Sequence, residues 1–198
     1  VNDMSNMFYD TQFNQDIGSW DVSSVTNMSY MFSKTPFNQD INTKVINEGQ
    51  SNEYTTWNVS GVENMSSMFD YAIAFNQDIG SWDVSNVLDM RAMFENATSF
   101  DQDIKYWVVN ESADLDGMFF NATLMISNQG FAVNPSYSDF NKTRITTRSE
   151  LDTAIDAWIE DKAAATITYG DVNTWDVTKI TDMNNLFKDK TTFNSDIS

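Results

Sequence analysis

A chain of 198 residues that is 41% apolar, with 14 Phe, 6 Trp and 11 Met, has ample material for a packed core and is not disordered in composition. Its formal charge of −18 argues against nucleic-acid backbones and anionic membrane surfaces as partners, since both attract clustered Lys and Arg. Without Cys or His it has no disulfide, zinc–thiolate site, thiol nucleophile or imidazole base. With 7 Gly and 2 Pro, most turns fall to Asn and Asp, which bond nearby backbone and tolerate left-handed conformations.

The first element is a partial unit, Val1–Phe8 (VNDMSNMF), matched by Val25–Phe32. The repeat is clearest where Phe13–Phe32, FNQDIGSWDVSSVTNMSYMF, returns as Phe75–Phe94, FNQDIGSWDVSNVLDMRAMF. A full unit runs from Trp20 to Ile41, and a polar insertion over about 42–56 then precedes the next Trp as a loop. Trp57, Trp82 and Trp107 follow at a spacing of 25, each with a Phe twelve residues later. Such a period belongs to repeat solenoids of the leucine-rich type, in which neighbouring coils complete each other's core. The pattern predicts coils of about 25 residues, each with one short β-strand, as at Trp82–Val84, and one short helical turn from Val87 to Phe94. Two buried ladders are expected: Trp20, Trp57, Trp82, Trp107 and Trp175, with Phe32, Phe69, Phe94, Phe119 and Phe187.

The unit at Trp107 decays, with Ser112 where Val87 stood, so residues 1–125 read as a first array and 126–148 as an irregular linker. Ser149 caps an expected helix over about 150–164, within a capping segment 149–165, whose stripe is Leu151, Ala154, Ile155, Trp158 and Ile159. Residues 166–198 read as the start of a second array with the helix as its lid. Both chain ends fall inside a unit, as expected of an excerpt from a longer polypeptide, so the lack of a leader says nothing of location. No apolar run reaches membrane-spanning length, and direct membrane insertion is not expected of this segment.

Asp16, Asp40, Asp78, Asp103 and Asp196 recur beside Asn14, Asn38, Asn76 and Asn194. Rows about 4.7–4.9 Å apart suit either calcium bridging successive carboxylates or, as expected here, Asp residues accepting backbone N–H groups beside an amide ladder. The spacing is that of no known calcium loop, so no metal or cofactor is expected, with calcium as the alternative. Asp21, Asp83 and Asp176 read as caps of the next turn. At this period the Trp and Phe rows are core rather than a sugar-binding strip, and exposed aromatics should come from Tyr54, Tyr106, Tyr137 or Phe131. Of the N-x-S/T sequons, Asn96, Asn121 and Asn141 are the best glycosylation candidates, with Asn58 and Asn110 behind them. Asn27 and Asn64 lie inside the repeat turn, where a structural role is expected. A catalytic carboxylate pair needs two different environments and repetition supplies copies of one, so no enzyme is expected.

The words WDVSxVxxMxxMF and FNQDI, at Trp20–Phe32, Trp57–Phe69, Trp82–Phe94 and Trp175–Phe187 and at Phe13–Ile17, Phe37–Ile41, Phe75–Ile79 and 193–197, closely resemble the repeats of BspA-like leucine-rich-repeat surface proteins. More narrowly they resemble a repeat domain of unknown function from mycoplasma lipoproteins, common in marine microbes and algae. The unit Trp107–Phe119 departs from the pattern, with Val108 for Asp. The resemblance implies an extracellular or cell-surface, non-enzymatic protein for adhesion or scaffolding, meeting other surface proteins or glycans. A filament or surface-layer subunit that mates with copies of itself is the alternative, and a calcium-dependent display module the next.

Overall fold

The computed structural model describes residues 1–140 and 143–195, and the chain divides into two compact units, Val1–Phe140 and Asn141–Ser198. In the N-terminal unit successive repeats lie side by side. Asp3, Asn27, Asn64, Asp89 and Asp114 hold one place in the repeat and form a row of parallel bridges, each to the next. The residues that follow make a ribbon of tight turns whose amides alternate in duty. The N–H groups of Met28, Tyr30, Phe32 and Lys34 donate to the carbonyls of Asn64, Ser66, Met68 and Asp70 in the next repeat at 2.8–3.0 Å. Those of Met31, Ser33 and Thr35 close turns onto Met28, Tyr30 and Phe32 in their own repeat. The other three junctions repeat this alternation across repeats, at 2.8–3.1 Å.

To send every second amide sideways the backbone reverses twice per repeat through positive φ. Asn6, Tyr30, Ser67, Ala92 and Gly117 make the first reversal and Asp10, Lys34, Tyr71, Asn96 and Asn121 the second, with φ of 52–65°. For a residue with a side chain this costs of order 1 kcal/mol, sustained by the hydrogen bonds on both sides. The helical turn expected from Val87 to Phe94 is therefore a turn ribbon. A helix keeps its N–H groups within the segment, whereas here alternate ones leave it. Nor is a strand formed at Trp82–Val84: the bridge between repeats sits five residues later, at Asp89.

Ring stacking fills the interior. Phe32, Phe69, Phe94 and Phe119 are fully buried in one row, with neighbouring centroids 5.6–5.9 Å apart and planes within 16°. Phe13, Phe37, Phe75 and Phe100 form a second row. Trp57, Trp82 and Trp107 are buried, Trp20 only half-buried, and the three buried indoles donate to the carbonyls of Ile17, Ile41 and Ile79 at 2.9–3.1 Å. Stacking continues through the repeat at Trp107 despite Val108 and Ser112, because Val108 points outward. The 42–56 insertion forms a hairpin rather than a loop, β1 (Lys44–Ile46) antiparallel to β2 (Tyr54–Thr56).

Part of the segment read as a linker closes the N-terminal unit. After the short helix α1 (Thr123–Ser127), Phe131 and Phe140 are buried against Phe119, with centroids 4.9 and 6.5 Å away, and Phe140 also lies over Trp107. The Val133 carbonyl accepts the Phe119 N–H at 3.1 Å, and Asn134 Oδ1 accepts that of Gly117 at 2.8 Å. These groups occupy the place of a following repeat, which is what an end cap must do.

The C-terminal unit holds β3 (Thr143–Arg144), α2 (Arg148–Glu160), α3 (Lys162–Tyr169) and β4 (Trp175–Asp176), with β3 parallel to β4. The helix cap is Thr147 rather than Ser149. Thr147 accepts the Glu150 N–H while the Glu150 carboxylate takes the N–H groups of Thr146 and Thr147, which hold it below the usual carboxylate range. The helix also stops short of 164, because Asp161 ends α2 and caps α3 by accepting from Ala163 and Ala164. Leu151, Ala154, Ile155 and Trp158 form the buried stripe. Arg148 Nη1 donates to the carbonyls of Asp182 and Asn184, whose counterparts in the N-terminal unit, Asn27 and Ser29, accept from the preceding repeat. Thus α2 stands in for a preceding repeat. Phe187, expected in the core ladder, is 38% exposed, because no following repeat covers it among the described residues.

Candidate contact surface

The repeated acidic and amide side chains are committed to their own turns. Asp16, Asp40, Asp78 and Asp103 each accept, through Oδ1, the N–H two residues on, at 2.9–3.4 Å. Lys44 also reaches Asp40 and is the main reason its pKa is lowered. Asp21, Asn58, Asp83 and Asn110 do the same for Ser23, Ser60, Ser85 and Ser112, and Asn27 and Asn64 for Ser29 and Ser66. Asp176 bonds the Thr178 N–H in the C-terminal unit. Three Asx turns per repeat explain the high Asp and Asn content. The row that carries Asp89 and Asp114 side by side places Arg91 between them, at 2.7 and 3.4 Å. Among the described residues no group of three or more acidic side chains is placed to hold a metal ion. Asp196 lies outside the described residues.

Alongside runs an amide ladder. Asn14 Oδ1 accepts the Asn38 N–H, Asn38 Oδ1 that of Asn76, and Asn76 Oδ1 that of Asp101, each at 2.9 Å. Gln39, Gln77, Gln102 and Gln129 donate into the same row. The ladder sews neighbouring repeats together.

This geometry reorders the sequon candidates. Asn96 is buried at 9% exposure, and its amide oxygen accepts from Asn121. It is therefore a poor acceptor, since it sits on a reversal with its side chain folded inward. Asn121 is exposed, and Asn58 and Asn110 are half-buried with their oxygens in Asx turns. Asn141 lies outside the described residues. The N-x-S words at Asn27, Asn58, Asn64 and Asn110 are thus the footprint of an Asx turn whose bonded amide belongs to Ser.

The exposed aromatics also differ from expectation. Phe131 is core, Tyr54 and Tyr106 are half-buried, and only Tyr137 of that set is exposed. The outward rings come instead from variable positions within the turn ribbon: Tyr9, Tyr30, Tyr71 and Phe120, with Ile73 beside Tyr71, at 39–58% exposure. Tyr9 meets Tyr30 edge-on at 6.2 Å, and Lys34 reaches the Tyr9 hydroxyl at 3.0 Å from above its ring, which raises the lysine's pKa. Tyr71 occupies the Lys34 position one repeat on. The available signal was the variation between the two methionines, Ser-Tyr, Ser-Ser and Arg-Ala, set within otherwise constant words.

The N-terminal unit is that of a tandem-repeat protein, with its recurring apolar residues inside and its recurring Asp and Asn residues bonded into the turns outside. The family model described as "Mycoplasma protein of unknown function, DUF285" matches residues 1–51, 43–158 and 158–198, and the chain belongs to that family. No curated protein and no solved structure matches it.

Proposed function

We propose that this chain is a non-enzymatic, extracellular or cell-surface repeat protein, a leucine-rich-repeat-like solenoid of the BspA-like kind. It acts as an adhesive or structural scaffold through protein or glycan contacts. The observation that carries the reading is the division of labour in the repeat. Recurring Asp and Asn side chains bond their own turns, recurring rings are buried, and the outward chemistry is left to unrepeated Tyr9, Tyr30, Lys34 and Tyr71. Half-exposed tyrosines on reversals held from both sides offer large, rigid, amphipathic contact area at low entropic cost. The recurring carboxylates share one Asx environment, which supports neither a catalytic pair nor a calcium-dependent display.

The test is binding of the 198-residue chain to immobilised neutral oligosaccharides and to extracellular matrix proteins, beside Tyr30→Ala/Tyr71→Ala. Both residues are exposed, so the fold should persist while affinity for the bound probe falls about tenfold. Binding untouched by the double substitution would overturn the assignment of this face. Release of the chain from intact source cells by added protease is the expected sign of surface display.

A further inference from the structure

We propose that the outer edge of the turn ribbon, from Tyr30 to Phe120, binds a neutral, β-linked oligosaccharide that lies across four successive coils with one sugar to each. The inference rests on the contact-surface reading above and names the partner of that surface. The N–H groups of Lys34, Tyr71 and Asn96 donate to the carbonyls of Asp70, Glu95 and Phe120 at 2.8 Å, which sets these residues side by side on successive coils. Tyr30 joins the edge through Tyr9, which meets its ring edge-on and holds the Lys34 amine at its hydroxyl. Tyr30, Tyr71 and Phe120 are 40%, 50% and 48% exposed. Each belongs to a coil covered on both sides: Phe32 stacks between Phe8 and Phe69, Phe69 between Phe32 and Phe94, and Phe119 between Phe94 and the closing Phe131. Their exposure therefore belongs to the edge itself and not to an end of the stack.

The chemistry along the edge suits a sugar. Rings at both ends offer faces for the C–H side of a pyranose, and the stretch between them carries Glu95 and Asn121 for its hydroxyls. Tyr30, Tyr71 and Asn121 stand on reversals at φ 53–57° and are bonded to neighbouring coils, so little ordering is left to be lost on binding. The step matches as well. Paired backbones repeat about every 4.7–4.9 Å, close to the advance of one residue in a β-linked pyranose chain. An extended peptide presents one face only at every second residue, roughly 6.6–6.8 Å apart. A straight sugar chain thus stays in step over four coils and a peptide does not. Charge narrows the class further. A formal −18 repels acidic glycans, and a basic partner has the whole acidic surface to meet rather than this edge.

The experiment is titration calorimetry of the 198-residue chain with neutral β-linked oligosaccharides of glucose, mannose, xylose and N-acetylglucosamine, each two to six residues long. At least one series should bind, with affinity rising up to four residues and level beyond, and the same at low and high salt because the ligand carries no charge. Tyr71→Ala and Phe120→Ala should each weaken the hexasaccharide about tenfold. Val108→Ala, outward at 62% exposure in another row of the coil, should leave it unchanged. Unchanged thermal unfolding confirms that each variant folds. Saturation transfer from the aromatic protons of the wild-type chain to the bound sugar gives the same answer without substitution. Silence toward all four series, affinity indifferent to chain length, or binding untouched by both ring deletions would overturn the proposal. Binding of matrix proteins that falls with Tyr30→Ala/Tyr71→Ala while every sugar is silent would overturn it too, yet leave the contact surface standing.

Discussion

Asp70 is the one residue in the turn ribbon whose chemistry works against its place. Its Oδ1 is buried without a well-formed hydrogen bond among the described residues, Oδ2 accepts a long bond from Ser33 at 3.4 Å, and the nearby Asn96 amide and Lys34 offset only part of the burial. Burial, reinforced by Glu95, raises its pKa. A carboxyl whose folded pKa is raised lets the native state hold its proton more tightly than the unfolded chain. Stability therefore falls as pH climbs from the usual carboxylate range through the raised value. Asp70→Asn should stabilise the N-terminal unit at neutral pH by at most about 1 kcal/mol, a gain that shrinks as acid protonates the wild-type side chain. Thermal unfolding of both proteins across that range is the check, and a loss of stability at neutral pH would mean that the carboxylate has a partner. At this scale the sequence was most legible where residue identity and turn chemistry coincide. Asp16 and Asp78 stand two residues before Gly18 and Gly80, and the expected bonds are there at 2.9 Å. Asn96 misled because a sequon and a left-handed reversal both favour Asn, and letters alone do not separate an outward amide from an inward one.

The elements show why the regular spacing of Met90, Met93 and Phe94 was ambiguous. Two inward residues three apart suit a helical turn, but they suit equally a ribbon that reverses between them. The reversals at Ala92 and Asn96 carry no obligate glycine to announce the ribbon. The ends of elements were obscure for a different reason. Thr146, Thr147 and Ser149 all precede Glu150, and only the bond from the Glu150 N–H to Thr147 selects the cap. Stacking of rings makes its own prediction. Phe94 lies 4.2 Å from Phe100 and between Phe69 and Phe119, so Phe94→Ala should cost about 3–5 kcal/mol in urea unfolding. Phe187→Ala, at an exposed ring, should cost under about 1 kcal/mol in dilute solution. Equal losses would mean that a single neighbour suffices for ring stability.

For the whole molecule the dominant unbalanced term is charge. A formal −18 on a chain whose acidic groups stand in rows favours salt without requiring a specific ion. Sodium and calcium chloride at matched ionic strength should raise the melting temperature alike, and a chelator should leave it unchanged. A calcium-specific rise that saturates would show that the Asp16–Asp103 rows bind metal beyond their turns. The repeat words were legible within the N-terminal unit because stacking imposes the same demand on every copy there. The cap at Phe131 and Phe140 was not, since a closing segment occurs once and shares no word with what it closes.

The hairpin β1–β2 carries one more implication. Asn27 and Asn64 stand 37 residues apart and Asn64 and Asp89 only 25, yet both pairs bridge in the same way. The bend after Ile41 thus tolerates foreign length without disturbing the rows on either side. It is a natural port for grafting, where a displayed epitope or reporter peptide can be spliced in and carried as cargo.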